Sequence, residues 1–208
     1  MVEITVEIAE EIAEEMKTRG RPRSQNVNQV ILEAVLDTIA EEGITKVTME
    51  GVAQRAGVSK ASLYRRFPTK WDMTQAAVEH MRAESLNIPE SGSAYERLLL
   101  LMEVTRASIH GSRYGRIMLA VVSHSHENPE LAQLVYDRIL QPRCMRVREI
   151  LEQGIQSGEF PTSLNIDVAM PTLIGPMLYL GIWSMCDPVS QTSTEDVLRS
   201  VLGVKPLD

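Results

Sequence analysis

Residues 48–70 read TMEGVAQRAGVSKASLYRRFPTK, and this stretch describes two short helices joined by a tight turn. Thr48 and Ser59 are of the residue types that cap helix N-termini, so they predict where each helix begins. Gly57 suits a turn in which the backbone needs a positive φ angle. Leu63 follows Ser59 by four residues and is expected to point back into a core. The pattern predicts a helix-turn-helix whose second helix spans about 59–67.

The second helix leaves polar and cationic residues on its outer face. A helix-turn-helix protein presents the N-terminal residues of this helix to the major groove of DNA. Lys60, Ser62 and the methyl group of Ala61 can contact base edges, since lysine bonds guanine O6 and N7, serine bonds either edge, and alanine touches the thymine methyl. Tyr64, Arg65 and Lys70 suit phosphate contacts.

The charge distribution supports a nucleic-acid partner although the net charge is −7. Residues 1–18 hold six acids and only Lys17, whereas residues 51–71 hold five cations and no acid. Surface charges are screened within ~8 Å at physiological salt, so this local cationic window outweighs the average. Arg21 and Arg23, in the arm RGRPR at 19–23, suit insertion into a narrow minor groove, although the arm could equally be a solvated linker. The cations of the window are Arg55, Lys60, Arg65, Arg66 and Lys70.

The segment 27–73 resembles the DNA-binding domain of the TetR (tetracycline-repressor) family of transcriptional regulators. The resemblance implies that Thr48, Ser59 to Ser62, Tyr64 and Lys70 contact DNA. Ala61, Ile39 and Arg66 depart from the residues common in that family, and Ala61 and Arg66 bear on which operator is read. The matching residues are Ile31, Leu32, Ala34, Val35, Gly43, Thr48, Val52, Ala53, Ala56, Gly57, Val58, Ser59, Leu63, Tyr64 and 67–71.

The rest of the chain has helical periodicity, which predicts an all-α fold: a three-helix head with a helix-turn-helix, followed by a helical bundle. Helices are expected at about 27–42, 48–56, 59–67, 70–86, 93–111, 113–125, 129–156, 165–186 and 194–203, with a kink at Pro142. We divide the chain into an acidic N-terminal helix and basic arm (1–23), a helix-turn-helix domain (24–70) and a ligand-binding and dimerisation domain (71–208).

The last two long helices are expected to form a two-fold dimer, as the resemblance also implies, because residues 168–186 are too apolar for a monomer surface. A purely intrachain core is the alternative. The interface is predicted to contain Ile174, Leu178, Gly181, Met185, Val197, Leu198 and Val201. The resemblance further implies a small-molecule effector, unidentified by sequence, and candidate lining residues are Met102, Met118, Val122, Tyr136, Tyr179 and Trp183.

Other classes of protein find little support. The sequence shows no nucleophile–base arrangement, phosphate-binding loop or cofactor motif, so an enzyme is not expected. His124 and His126 are two residues apart on a helix and point to different faces, which disfavours a metal site. Residues 168–186 are uncharged, but Pro171 and Pro176 interrupt them and Lys or Arg anchors are missing, so we expect no membrane span. Without a secretion-signal pattern, we expect a cytoplasmic protein.

The sequence therefore predicts a ligand-responsive repressor that binds a pseudo-palindromic operator as a homodimer. Recognition helices of such a dimer enter successive major grooves about one helical turn apart. The alternative is a protein-binding adaptor, or an activator, on the same fold without effector-controlled repression.

Overall fold

The computed structural model describes residues 27–83, 91–110, 112–183 and 192–203, and all regular elements in these ranges are helical. The predicted all-α fold class is thereby confirmed. The helices are α1 (Val27–Glu42), a 3-10 turn (Ile44–Lys46), α2 (Met49–Arg55), α3 (Lys60–Arg66), α4 (Lys70–Ala83), α5 (Ala94–Ile109), α6 (Arg113–Ser123), α7 (Pro129–Val135), a π turn (Tyr136–Leu140), α8 (Gln141–Ser157), α9 (Ile166–Trp183) and α10 (Thr194–Leu202). The acidic stretch 1–18 and the basic arm lie outside the described residues.

The described chain divides into two compact units, of which the first contains the helix-turn-helix. This head unit comprises residues 27–83 and 113–141, so α6 and α7 join α1 to α4. Its core contains Ile31 and Val35 of α1, Leu63 of α3, Met73 of α4 and Ile117 of α6, each no more than 2% exposed. The division differs from the predicted boundary at residue 70, because the apolar faces of α4, α6 and α7 are buried in the same core as those of the first three helices.

The second unit, here called the body unit, contains α5 and α8 to α10. Leu98 of α5, Ile150 of α8, Leu173 of α9 and Leu198 of α10 are each fully buried in its core. Burying one such side chain contributes about 1.5–3 kcal/mol, so this core stabilises the packing of the four helices. None of the helices in the described ranges is long and apolar enough to cross a membrane.

The N-terminus of α5 is held by a carboxylate from the loop after α8. Glu159 accepts hydrogen bonds from the backbone N–H groups of Ala94 and Tyr95, both at 3.1 Å, and from Ser157 Oγ at 3.0 Å. Burial raises the pKa of Glu159, but these hydrogen bonds outweigh burial and leave the pKa below its usual value. The ionised carboxylate therefore caps α5 and ties it to the end of α8.

A π turn connects α7 to α8 immediately before Pro142. Proline has no N–H, so the carbonyl four residues earlier loses its ordinary helical donor. The backbone N–H of Gln141 donates to the carbonyl of Tyr136, five residues back, which widens the turn by one residue. The structure thus has a π turn just before the proline at which a kink was predicted.

Candidate nucleic-acid interface

Two hydroxyl side chains set the beginning of the helix-turn-helix elements. Thr48 caps α2, with its Oγ1 accepting from the backbone N–H of Gly51 at 3.0 Å. Ser59 caps α3, with its Oγ accepting from the backbone N–H of Ser62 at 3.2 Å. Both cap residues have extended backbone angles, as expected for an N-cap. Both predicted caps therefore form.

The turn between α2 and α3 depends on a glycine. Gly57 adopts φ +66°, a left-handed conformation that side chains with a Cβ avoid. After it, the backbone N–H of Val58 donates to the carbonyl of Ala53 at 3.0 Å and closes the turn. Leu63 is fully buried and Phe67 is 9% exposed, so one side of α3 is fixed against the core. The opposite side of α3 is consequently turned to solvent.

Most of the sequence-predicted DNA contacts lie on this solvent-facing side. Tyr64 is 43% exposed, and Lys60, Ala61 and Arg65 are also exposed. Ser62 is half-buried. Thr48, Ser59 and Lys70 are exposed at the start of α2, α3 and α4 respectively. The structure thus brings the predicted residues 48 to 70 to the exposed ends and outer side of one motif, while Arg21 and Arg23 lie outside the described residues.

Two of the five window cations are engaged by acids of the head unit itself. Arg55 pairs with Glu41 and with Glu42, the latter at 3.0 Å, so it ties α2 to α1. Hydrogen bonding to Glu41 raises the pKa of Arg55. Two carboxylates at the end of α1 therefore neutralise Arg55, which is one of the window cations but not one of the predicted DNA contacts.

The second engaged cation is Lys60, on α3. The Nζ atom of Lys60 lies 3.4 Å from Oε1 of Glu50, and both side chains are more than half exposed. A hydrogen bond from its own backbone N–H lowers the pKa of Glu50, and Lys60 lowers it further. Glu50 is thus a negative charge beside the proposed base-reading residues. The charge pattern of the sequence did not indicate Glu50, because the acid-free window begins at residue 51.

Arg66 also has an arrangement that its sequence position did not predict. Its Nη1 donates to Ser62 Oγ at 2.7 Å and to the backbone carbonyl of Ser62 at 3.1 Å. The guanidinium therefore lies back along α3, one turn before the Cα atom of Arg66. Arg65, in contrast, is exposed.

The start of α4 carries a reciprocal cap. Asp72 Oδ2 accepts from the backbone N–H of Thr69 at 3.0 Å and from its hydroxyl at 2.7 Å, while Thr69 Oγ1 accepts from the backbone N–H of Asp72 at 3.1 Å. This arrangement places Lys70 on the first helical turn. Trp71, 38% exposed beside it, is an accessible aromatic residue outside the set of predicted DNA contacts.

A polar cluster connects three helices of the head unit. Glu33 of α1 lies 2.7 Å from Nε2 of His80 on α4 and pairs with Arg113 of α6. Arg113 also donates to Asp37 at 2.9 Å. Burial raises the pKa of Glu33, but the bonds from Arg113 and His80 outweigh burial and leave the pKa low. The ionised Glu33 therefore links α1 to α4 and α6.

The predicted effector residues are not gathered into one site within either unit. Met102 is in the core of the body unit and Met118 is in the core of the head unit, at 1% and 4% exposure. Val122, Tyr136 and Tyr179 are 53%, 47% and 56% exposed. The side chain of Trp183 lies outside the described residues. Helical spacing identified apolar positions but could not separate residues in a core from residues that a ligand could reach.

The structure places two of the predicted dimer-interface residues in a core. Val197 and Leu198 are 8% and 0% exposed because they pack inside the body unit. Ile174 and Val201 are half-buried. The surroundings of Leu178 and Gly181 lie outside what the structure describes, and so does the whole of Met185.

An unpredicted set of α9 residues is exposed instead, at the helical spacing i, i+3, i+4, i+7, i+11. Val168 is 59% exposed and Tyr179 is 56% exposed. This uncharged α9 stripe consists of Val168, Pro171, Thr172, Gly175 and Tyr179.

Two further features concern a metal site and a reactive thiol. Across the described ranges, no three His, Cys, Asp or Glu side chains come together in a way that could hold a metal ion. Cys144 is a free, half-buried thiol, and burial raises its pKa, which favours the unreactive protonated form.

Comparison with known proteins agrees with this geometry. Residues 31–77 match the family model described as bacterial regulatory proteins, tetR family, and residues 88–201 match the tetracyclin repressor-like C-terminal domain. The uncharacterized HTH-type transcriptional regulator YdeS of Bacillus subtilis is 30% identical over 143 residues, which is 69% of this chain and 72% of the relative.

Two solved structures have a similar fold. The MexZ repressor of Pseudomonas aeruginosa superposes with a TM-score of 0.67 at 18% identity, covering 85% of this chain and 90% of its own. The regulator FadR of Bacillus subtilis, in complex with stearoyl-CoA, gives 0.64 at 23% identity, covering 85% and 99%. The second family model alone spans more than half of the 208 residues. The chain therefore belongs to the TetR family of helix-turn-helix transcriptional regulators.

Proposed function

We propose that this protein is a ligand-responsive repressor that binds a pseudo-palindromic operator as a homodimer and reads base edges with α3. The observation that carries the proposal is the orientation of α3. Leu63 is fully buried, whereas Lys60, Ala61, Tyr64 and Arg65 are exposed on the other side of the helix. Operator DNA is held in the cytoplasm of a bacterial cell, and we place the protein there.

Each contact has a role that follows from its chemistry. Lys60 and Ala61, on the first turn of α3, would meet base edges in the major groove. Tyr64, Arg65 and Lys70 would bind phosphates and hold the register of the helix. Arg21 and Arg23 would extend the contact into the minor groove from the preceding arm.

Dimerisation is proposed through the α9 stripe, in place of the predicted α10 residues. Exposed apolar side chains in a continuous row are unfavourable on a monomer. A two-fold axis would pair the stripe with its own copy. A dimer would place two copies of α3 on neighbouring turns of one side of the duplex, which accounts for a pseudo-palindromic site.

Effector control is proposed from the family fold. FadR of Bacillus subtilis was solved with stearoyl-CoA bound, which supports ligand binding within this fold. A coupling of ~1.4–3 kcal/mol between effector and operator would weaken DNA binding about ten- to hundredfold. The corresponding assay adds stearoyl-CoA to the protein–operator complex and compares its release with that caused by free coenzyme A.

The reading head is tested by selecting operators from a random duplex library and titrating affinity against salt by fluorescence anisotropy. We expect a dyad-symmetric consensus and a log–log salt slope of several units. Lys60→Ala combined with Tyr64→Ala should abolish the preference for the consensus. Arg97→Gln, which removes one positive charge from α5 of the body unit, should leave affinity and slope unchanged. Weak binding to all duplexes without salt dependence would contradict the proposal and favour the adaptor.

A further inference from the structure

Ser62 and Arg66 form a closed hydrogen-bonded pair on α3. The guanidinium donates through Nη1 to both oxygens of Ser62, at 2.7 Å to Oγ and 3.1 Å to the backbone carbonyl. Both residues are half-buried, so the pair is partly shielded from solvent. Two bonds to one residue fix the guanidinium more firmly than a single contact would.

This pairing changes what the hydroxyl can do. A serine hydroxyl has one donor and two acceptor positions, so a free serine reads donor and acceptor base edges equally well. In this helix Arg66 fills an acceptor position of Ser62 with a charged donor. Such a bond also polarises the O–H group and strengthens its outward donation. Ser62 is thereby biased toward donating.

The guanidinium adds further donors at the same place. It carries five N–H groups, and the two bonds to Ser62 leave Nη2 and Nε outside the pair. A base presenting two acceptors in the major groove matches this set, and guanine does so through O6 and N7. Cytosine presents the N4 donor at the equivalent edge and would be disfavoured.

We propose that Ser62 and Arg66 act as one reading unit that selects a guanine at the base pair facing Ser62. The proposal rests on the proposed function, because it requires α3 to lie in the major groove. It specifies the base that Arg66 helps to select and the route through Ser62, whereas an arginine that contacts only a phosphate would carry no base preference. Arg65, its exposed neighbour, provides the matched comparison.

The experiment measures operator affinity for the full chain and for Ser62→Ala, Arg66→Lys and the double variant. Each protein is titrated against the selected operator and against duplexes with every single base substitution in the half-site. We expect both single variants to lose at least tenfold of the discrimination for guanine, at the same base pair. The double variant should lose no more guanine discrimination than either single variant. Lysine keeps the positive charge but lacks the planar set of N–H donors of a guanidinium. A loss of guanine discrimination in Arg66→Lys therefore shows that the donor geometry matters, and not the charge alone.

The alternative role gives a different result. If Arg66 only contacts a phosphate, Arg66→Gln should weaken binding to all sequences equally and reduce the salt slope by about one unit, as we expect for Arg65→Gln. That outcome, or full discrimination in Arg66→Lys, would overturn the inference and leave the function intact. A library that yields no consensus would overturn both. If Arg66→Lys proves unstable, Arg66→Gln gives the same comparison, since a loss of guanine discrimination at the base pair facing Ser62 supports the inference and a uniform loss overturns it.

Discussion

At the scale of single residues, the head unit places acids beside the cations that are expected to meet DNA. Glu50 lies against Lys60 on the exposed side of the motif, and Glu41 and Glu42 neutralise Arg55. An acid next to a reading residue has two effects, because it positions the cation and repels phosphate. Arg65 and Lys70 remain exposed and are the better candidates for the phosphate attraction.

Replacing Glu50 with glutamine should increase operator affinity. The ion pair with Lys60 is exposed and contributes little to stability, whereas the carboxylate opposes the DNA charge. We expect about a two- to fivefold gain at low salt that shrinks as salt rises. Anisotropy titrations at two salt concentrations measure it, with Glu130→Gln on α7 as the charge-matched control. Unchanged or weaker binding would show that Glu50 serves to orient Lys60.

Glu159→Gln should alter the acid dependence of stability. Because the folded-state pKa of Glu159 is lowered, its stabilisation is full above the unfolded pKa of about 4.3 and is lost as the pH falls through the folded value. At pH 7 the variant should therefore unfold more easily, by roughly 0.5–2 kcal/mol for a lost cap. The difference should shrink as the pH falls below the unfolded value, because both states then bind the proton.

Urea unfolding at several pH values measures this effect, and the exposed Glu149→Gln provides the comparison. A gap between wild type and Glu159→Gln that stays constant from pH 7 to pH 3 would mean that the carboxylate charge does not hold α5.

The exposed positions on α3 could be predicted from the sequence, since Ser59 fixes the helix start and the helical period then fixes the face of Lys60 and Arg65. Which side chain each of these residues pairs with could not be predicted. The pairing of Glu50 with Lys60 depends on how α2 crosses α3, and the retreat of Arg66 onto Ser62 depends on a rotamer. Neither follows from spacing alone.

At the scale of elements, most helix boundaries follow from local chemistry that is visible in the sequence. Gly43 at φ +92° ends α1, as predicted. Ser59 begins α3, and Pro68 follows the end of that helix. Capping and breaking residues act over only a few positions, so their effect can be read without knowing the tertiary fold.

Ser59 provides a test that separates stability from DNA binding. Ser59→Ala should lower the free energy of unfolding by about 1 kcal/mol, seen as a melting temperature lower by roughly 2–4 °C. Ser59→Asp should restore the melting temperature, because aspartate caps helices equally well, yet weaken operator binding by placing a negative charge on the DNA-facing turn. Calorimetry and anisotropy give the two readouts. Equal affinity in Ser59→Asp and wild type would exclude Ser59 from the interface.

At the scale of the whole molecule, the sequence predicted which helices exist but not which core each one joins. Periodicity shows that α6 and α7 each have an apolar face, yet it does not show which partner that face meets. Val197 and Leu198 illustrate the same limit, because an amphipathic stripe that packs inside its own unit has the same pattern as one that packs across a dimer axis. Ala169, Leu173 and Met177 fill the core, and this packing, which periodicity does not reveal, leaves the α9 stripe exposed.

Gly175→Arg should convert the proposed dimer into a monomer. A Cβ at this position meets no atom within 4 Å, so the substitution leaves the subunit undisturbed, whereas an arginine in the middle of the α9 stripe would have to be desolvated at the interface. Light scattering should give half the mass of wild type, and affinity for a full operator should fall about a hundredfold or more because the two half-sites are no longer linked. Gln156→Arg, an exposed change on α8, is the control. A dimer that survives Gly175→Arg would place the interface elsewhere.

The π turn before Pro142 makes the length of the chain unusually important there. Leu131, Val135 and Ile139 follow one another at intervals of four residues and all face the core of the head unit. One residue corresponds to about 100° of rotation around a helix axis. Deleting a single residue between 136 and 138 would turn the side chain of Ile139 away from this core and toward water. We therefore expect insertions and deletions in this tract to be tolerated far less well than point changes, the reverse of the pattern in a surface loop.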